Sequence, residues 1–192
     1  MVLRNRVVHG AKPSLDELGR GIQKKFLEHR SLLVKESSKI IQVIPNDVHW
    51  VGPERGRLKS NCDVTINSAS SALAVVARDS RGNLVFAFSK RVDTNIPIQV
   101  ETEALLQAAS IASRYRILAV CLESDCQVCI QGLNSYGTVI PWRIANLLEE
   151  IKGIVSSLSS ISFSWVPRKA NRATHSLAQC FLTNSFFGSF LL

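Results

Sequence analysis

Three carboxylates in the middle of the chain have the residue type and the placement to hold a divalent cation. Asp63 closes Lys59-Ser60-Asn61-Cys62-Asp63, which alternates as a strand does. Glu103 stands in Val100-Glu101-Thr102-Glu103-Ala104-Leu105, early in a helical pattern, and Asp125 ends Glu123-Ser124-Asp125 after a short apolar strand. Acidic groups carried on three elements repel one another when folding gathers them, unless a cation lies between. Gathered, they suit metal-dependent phosphodiester chemistry. Taken singly, each has a plainer use: Asp63 as a lone strand carboxylate, Glu103 as a solvated helix residue, Asp125 as the N-cap of the helix it precedes. The two sets of readings separate only on whether the fold brings the three together.

The chain has 192 residues, enough for one domain with some excess. Its net charge of +8 favours a polyanionic partner. The excess sits early. Residues 1–59 carry 12 basic and 6 acidic side chains against 11 and 9 in the remainder, so the segment holding the carboxylates is nearly balanced. A solvated basic arm and an arm facing nucleic acid both fit that distribution. Five cysteines, an odd number, with no apolar leader in Met1-Val2-Leu3-Arg4-Asn5-Arg6, predict free thiols in a reducing nuclear or cytoplasmic compartment. Cys126-Gln127-Val128-Cys129 matches CxxC without a second pair to complete a zinc site, and cysteines at i and i+3 of a helix often simply pack.

Positioning elements are legible from about residue 57. Leu58 to Ile66 alternates as a half-buried strand. Ala72 to Ala77 is a second strand, Asp79-Ser80-Arg81-Gly82 a hairpin turn and Asn83 to Ser89 a third strand, so the three form an antiparallel meander. A helix follows Pro97, with Leu105, Ala108, Ala109 and Ala112 at i, i+3, i+4 and i+7 as its buried face. Ile117 to Leu122 is apolar on both faces, as a central strand is. Short helices are predicted from Asp125 and from Pro141, a fifth strand over Ile161, Phe163 and Trp165, and a last helix from about Lys169. A meander followed by βα units implies an α/β domain with a mixed five-stranded sheet and helices on both faces. Three segments are expected: a basic N-terminal segment and linker over 1–56, the domain over 57–180, and an apolar tail over 181–192. The N-terminal segment carries an amphipathic stripe of Leu15, Leu18, Ile22, Phe26 and Leu33, and the tail is too short for the roughly 20 residues that a bilayer span needs.

In that order of elements the sequence resembles the ribonuclease H family. It is most similar to the plant domains associated with non-LTR retroelement reverse transcriptases. The resemblance covers about Trp50 to Gln179. It rests on Trp50 with Gly56-Arg57-Leu58-Lys59-Ser60-Asn61-Cys62-Asp63, on Val76-Ala77-Arg78-Asp79-Ser80-Arg81-Gly82, on Glu101-Thr102-Glu103-Ala104-Leu105, on Glu123-Ser124-Asp125-Cys126-Gln127, and on Trp165-Val166-Pro167-Arg168-Lys169-Ala170-Asn171-Arg172.

The resemblance implies cleavage of the RNA strand of an RNA–DNA hybrid, assisted by Mg²⁺ or, with a softer ligand present, Mn²⁺. It assigns Asp63, Glu103 and Asp125 as metal ligands, and Arg168, Lys169 and Arg172 as candidate phosphate contacts. The family's closing motif, Asn-x-x-Ala-Asp-x-Leu-Ala, reads here Asn171-Arg172-Ala173-Thr174-His175-Ser176-Leu177-Ala178, so His175 stands where a fourth catalytic carboxylate is expected. Two functions follow: a hybrid endoribonuclease, or a catalytically inactive nucleic-acid-binding module derived from a retroelement.

Overall fold

A computed structural model describes residues 49–135, 139–184 and 188–191. The amphipathic stripe over 15–33 and the start of the linker at Pro45 lie outside the described residues. Val48–Leu191 is one compact unit.

Its elements run β1 (Leu58–Ile66), β2 (Ser71–Arg78), β3 (Leu84–Val92), α1 (Pro97–Arg114), β4 (Ala119–Ser124), α2 (Gln127–Asn134), α3 (Trp142–Val155), β5 (Ser160–Trp165), a 3₁₀ turn (Arg168–Asn171), α4 (Arg172–Asn184) and β6 (Gly188–Leu191). The five expected strands form in the expected order. The tail adds β6, antiparallel to β3, so the sheet reads β5-β4-β1-β2-β3-β6. Pairing is antiparallel through β1, β2, β3 and β6, and parallel where β4 joins β1 and β5.

The hairpin between β2 and β3 is closed by Asp79, whose Oδ1 accepts the amides of Arg81 and Asn83 at 2.8 Å each. Gly82 completes the turn at φ 80°, a left-handed conformation that glycine adopts without a steric penalty. No helix among the described residues is long and apolar enough to cross a membrane.

Each face of the sheet has its own cover. Cys62, Val64, Leu73, Val75 and Phe86 pack with Val100, Ala104, Leu105 and Ala108 of α1, and α3 seals that layer through Ile144, Leu148 and Ile151. The opposite face carries small residues, Ala72, Ala74, Val76 and Ala87, all buried, and α4 lies across β1 and β2 there. Small side chains let a helix approach the sheet closely. One expectation is corrected here: β1 is not half-buried. Its polar face is covered as well, so Asn61 is 0 % and Asp63 6 % exposed.

Burial of a polar strand face requires partners, and the upper half of that face has them. Asn61 Oδ1 accepts from Trp50 Nε1 at 3.0 Å and from Arg78 Nη2 at 2.9 Å, while its Nδ2 donates to Glu123 Oε2 at 2.8 Å. Lys59 Nζ pairs with Glu123 Oε1 at 2.8 Å, and the Arg78 guanidinium stacks 3.8 Å from the Trp50 ring. Burial lowers Arg78 to about 10, with Glu123 resisting the shift. Asn61→Ala would leave the indole N–H, the guanidinium and the carboxylate each short of a partner. At about 1–3 kcal/mol per stranded buried group, partly recovered by relaxation, the substitution should cost about 3 kcal/mol. The shift of the urea unfolding midpoint measures it.

Candidate metal centre

The lower half of the same strand face is built differently. The parallel ladder between β1 and β4 ends at the pair Cys62↔Ser124. Asp63 and Asp125 are therefore the next residues on the two strands, side by side where the ladder opens. Asp125 lies one residue past β4 and does not cap α2. The N-cap is Cys126, which makes no side-chain capping bond. The peptide of Asp125 is held instead by Trp165, whose Nε1 donates to its carbonyl at 3.0 Å.

The third carboxylate comes from α1, and it is Glu101 in place of the expected Glu103. Oxygens of Asp63, Glu101 and Asp125 all lie within 4.8 Å of one another. Two residues along a helix is a rotation of about 200°, so Glu101 and Glu103 look in nearly opposite directions. Glu101 lies one turn before Leu105 on the buried stripe that continues through Ala108 and Ala112. Glu103 follows the outer face and accepts a 3.4 Å hydrogen bond from Gln99 Nε2. Extending the apolar stripe back by four residues would have identified Glu101 from the sequence.

His175 joins this cluster from α4, its Nδ1 3.2 Å from Asp63 Oδ2. Its ring is half-exposed. The position is set by Asn171, whose Nδ2 donates to the Cys62 carbonyl at 2.6 Å and pins the start of the helix to β1 beside Asp63. Arg168 Nε donates to Asp125 Oδ2 at 3.0 Å from a side chain that is 92 % exposed. Lys169, within the 3₁₀ turn, and Arg172, which follows it, are exposed.

Electrostatically the cluster is undercompensated. Burial, and then the charge of Asp125, push Asp63 up to about 6, against the pull of the Val64 amide, His175 and Arg168. Glu101 is pushed up to about 9 by burial, then by Asp63, Asp125 and Cys126. Glu101 Oε2 and Asp125 Oδ1 are buried and accept no hydrogen bond among the described residues. Buried carboxylates gathered this closely, two of them with an unpartnered oxygen, offer hard donors suited to a divalent cation. The residues fit such an ion.

Directly behind the carboxylates, Cys126 and Cys129 lie with their sulfurs 3.1 Å apart, and Cys129 Sγ is 3.2 Å from Thr102 Oγ1 of α1. The hydrogen bond between the two thiols holds Cys126 down at about 7, and the same bond and burial push Cys129 far up.

Residues 61–180 match the protein family described as reverse transcriptase-like. No curated protein matches the chain. Among solved structures, the chain is similar to ribonuclease H1 of the halophilic archaeon Halobacterium salinarum, with 20 % identity, a TM-score of 0.60 and coverage of 67 % of this chain and 98 % of that one. It is also similar to LC11-RNase H1, isolated from compost by a metagenomic approach, with 16 % identity, a TM-score of 0.62 and coverage of 68 % and 98 %. The same compost protein in complex with an RNA/DNA hybrid matches with 18 % identity, a TM-score of 0.54 and coverage of 62 % and 92 %. These likenesses establish a ribonuclease H-like fold.

Raised carboxyl pKa values fix the sign of a pH effect. Asp63 and Glu101 keep a proton in the folded chain at pH values where the unfolded chain has released it. The folded state thus binds more protons, and stability falls as pH rises. The loss runs from 3.8 to about 6 for Asp63 and from 4.5 to about 9 for Glu101. In EDTA the melting temperature should fall across this range, and Glu101→Gln should flatten the part above about pH 6, which belongs to Glu101. Melting curves of the two proteins at several pH values provide the check; an unchanged slope for Glu101→Gln would assign the effect to another group.

Proposed function

The chain belongs to the reverse transcriptase-like family, and from that membership and its carboxylate cluster we propose that it is a nucleic-acid-binding domain of ribonuclease H type, acting on RNA–DNA hybrids. The observation that carries the reading is the convergence of Asp63, Glu101 and Asp125 with two buried oxygens left unpartnered. Asp63, Glu101 and Asp125 would hold Mg²⁺ or Mn²⁺. Divalent ions at such a site lower the pKa of a water and stabilise the leaving oxygen of a phosphodiester.

The chain's own groups have separable tasks in this reading. Asp63 and Asp125 offer oxygens from adjacent rigid strands, and Glu101 completes the set from α1. Arg168 tempers the charge of Asp125 through an exposed ion pair, which costs little to open when a phosphate competes for the guanidinium. Together with Lys169 and Arg172 it forms a cationic rim suited to backbone phosphates, which hybrids present without regard to sequence.

His175 sets the limit. It brings to Asp63 a nitrogen in place of an oxygen, and no negative charge. That suits Mn²⁺ better than Mg²⁺ and leaves a second ion weakly held. The reading is therefore of a domain with weak hybrid cleavage in Mg²⁺ that Mn²⁺ improves. Inactive binding of nucleic acid is the reading that remains if Mn²⁺ has no effect.

A gel assay on a labelled RNA–DNA hybrid tests this. His175→Asp should raise cleavage in Mg²⁺, Asp63→Asn should abolish it, and Glu101→Gln should lower it by about 100-fold or more while Glu103→Gln leaves it unchanged. Wild-type cleavage in Mg²⁺ equal to that of His175→Asp would show that His175 is not limiting. Binding supplies a separate expectation. Affinity for hybrid should fall steeply with salt, and replacing Arg168, Lys169 and Arg172 together by Ala should reduce the slope of log K against log salt by about 2 to 3. Titrations across a range of salt concentrations measure that slope.

A further inference from the structure

We propose that Cys126 and Cys129 are a reversible dithiol–disulfide pair, linked through Asp125 to the carboxylate cluster. The pair stands on a contact between two elements. The sulfurs are 3.1 Å apart, about 1 Å more than the ~2.05 Å of a disulfide bond, and both belong to a CxxC segment whose first cysteine is the N-cap of α2. Cysteines at that spacing approach closely enough to join with a small local adjustment. Among the described residues no third ligand completes a metal site around these two sulfurs.

Burial separates the roles. Cys126 is partly exposed and Cys129 is 0 % exposed. A low-molecular-weight disulfide such as glutathione disulfide therefore meets Cys126 first. The Cys126 sulfur bonds to one glutathione sulfur and the glutathione S–S bond breaks, releasing one glutathione thiol. Cys129 then attacks the mixed disulfide, its sulfur bonds to that of Cys126, and the second glutathione leaves as a thiol. The two protein thiols give up two electrons and two protons, and one glutathione disulfide takes them up as two glutathiones.

The link to the cluster is covalent on one side and a hydrogen bond on the other. Cys126 follows Asp125 directly, and its amide donates to Ser124 Oγ at 3.1 Å. Cys129 contacts Thr102, the neighbour of Glu101 on α1. Closing about 1 Å between the sulfurs changes the packing of Cys126 beside Asp125 and of Cys129 against Thr102, next to a site whose metal–ligand distances are held to within about 0.2 Å. Oxidation should weaken divalent binding about tenfold, the lower end of what outer-shell disturbance produces. This consequence, unlike the pair itself, rests on the cation-binding reading of Asp63, Glu101 and Asp125.

The test equilibrates the full 192-residue chain with a series of glutathione redox mixtures, quenches in acid, alkylates the remaining thiols in denaturant so that the buried Cys62 and Cys129 are reached, and maps them by mass spectrometry. One disulfide, Cys126–Cys129, should appear and be reversed by dithiothreitol, with Cys62, Cys121 and Cys180 alkylated throughout. Cys129→Ser should trap Cys126 as the glutathione mixed disulfide, and Cys126→Ser should leave Cys129 unmodified. Continued alkylation of both cysteines under the most oxidising mixture, or pairing of either with another cysteine, overturns the pair. Mn²⁺ titrations of the oxidised and reduced chains then test the link: equal affinities overturn it. A reduced chain that binds no Mn²⁺ would sink the cation reading instead, and the thiol map would still decide the pair.

Discussion

The parallel pairing of β1 with β4 is the constraint on which the rest of the molecule depends. Its last rung, Cys62↔Ser124, leaves Asp63 and Asp125 adjacent at the point where the strands part. In a parallel ladder, side chains in register point to the same side, so the two carboxylates leave the last rung next to each other. The Trp165 indole then holds the peptide of Asp125 one residue beyond it. Burial and mutual repulsion then appear as proton affinity, with Asp63 raised to about 6 and Glu101 to about 9. The chain spends fold stability to keep this geometry, in the manner expected of sites organised around a charge supplied from outside.

Along β1 the contrast between successive inward polar residues is informative. Lys59 and Asn61 meet Glu123 in a closed set of hydrogen bonds, with Trp50 and Arg78 completing it. Two residues further, Asp63 faces Asp125 with compensation from the Val64 amide, His175 and an exposed arginine. The β1–β4 pair thus carries a satisfied acid and an unsatisfied pair of carboxylates within about 7 Å of rise. The satisfied half anchors the strand against displacement by the repulsion of the other.

The strand order, the hairpin at Asp79 and the apolar face of α1 were legible because each depends on local periodicity and turn chemistry. Asp63 and Asp125 were legible because one stands within and the other just after a clear strand pattern. Glu103 is the residue to which the family resemblance points, whereas the helical phase of Leu105, Ala108 and Ala112 puts Glu101 on the buried stripe, and it is Glu101 that joins Asp63 and Asp125. The burial of both faces of β1 was hidden for another reason. The helix that covers Asn61 and Asp63 arrives more than a hundred residues later, and a polar face destined for a charged site reads the same as one destined for water. The CxxC pair was legible as a motif, but its contact with Thr102 depends on the packing of α1 against α2, which no local pattern encodes.

A sheet of this kind has two flanks, and they are finished in different ways. The Gly188–Leu191 segment lies along β3 and takes up backbone groups that would otherwise be open to another chain. At the other flank β5 alternates Ser160, Ser162 and Ser164 with Ile161, Phe163 and Trp165, and its backbone groups beyond β4 have no such cover from the sheet. Among the described residues β5 is thus the six-residue edge strand beside the site, and it also carries Trp165 with its hold on Asp125. Self-association through that flank would compete with anything approaching the carboxylates, which makes colloidal behaviour and access to the site two aspects of a single surface.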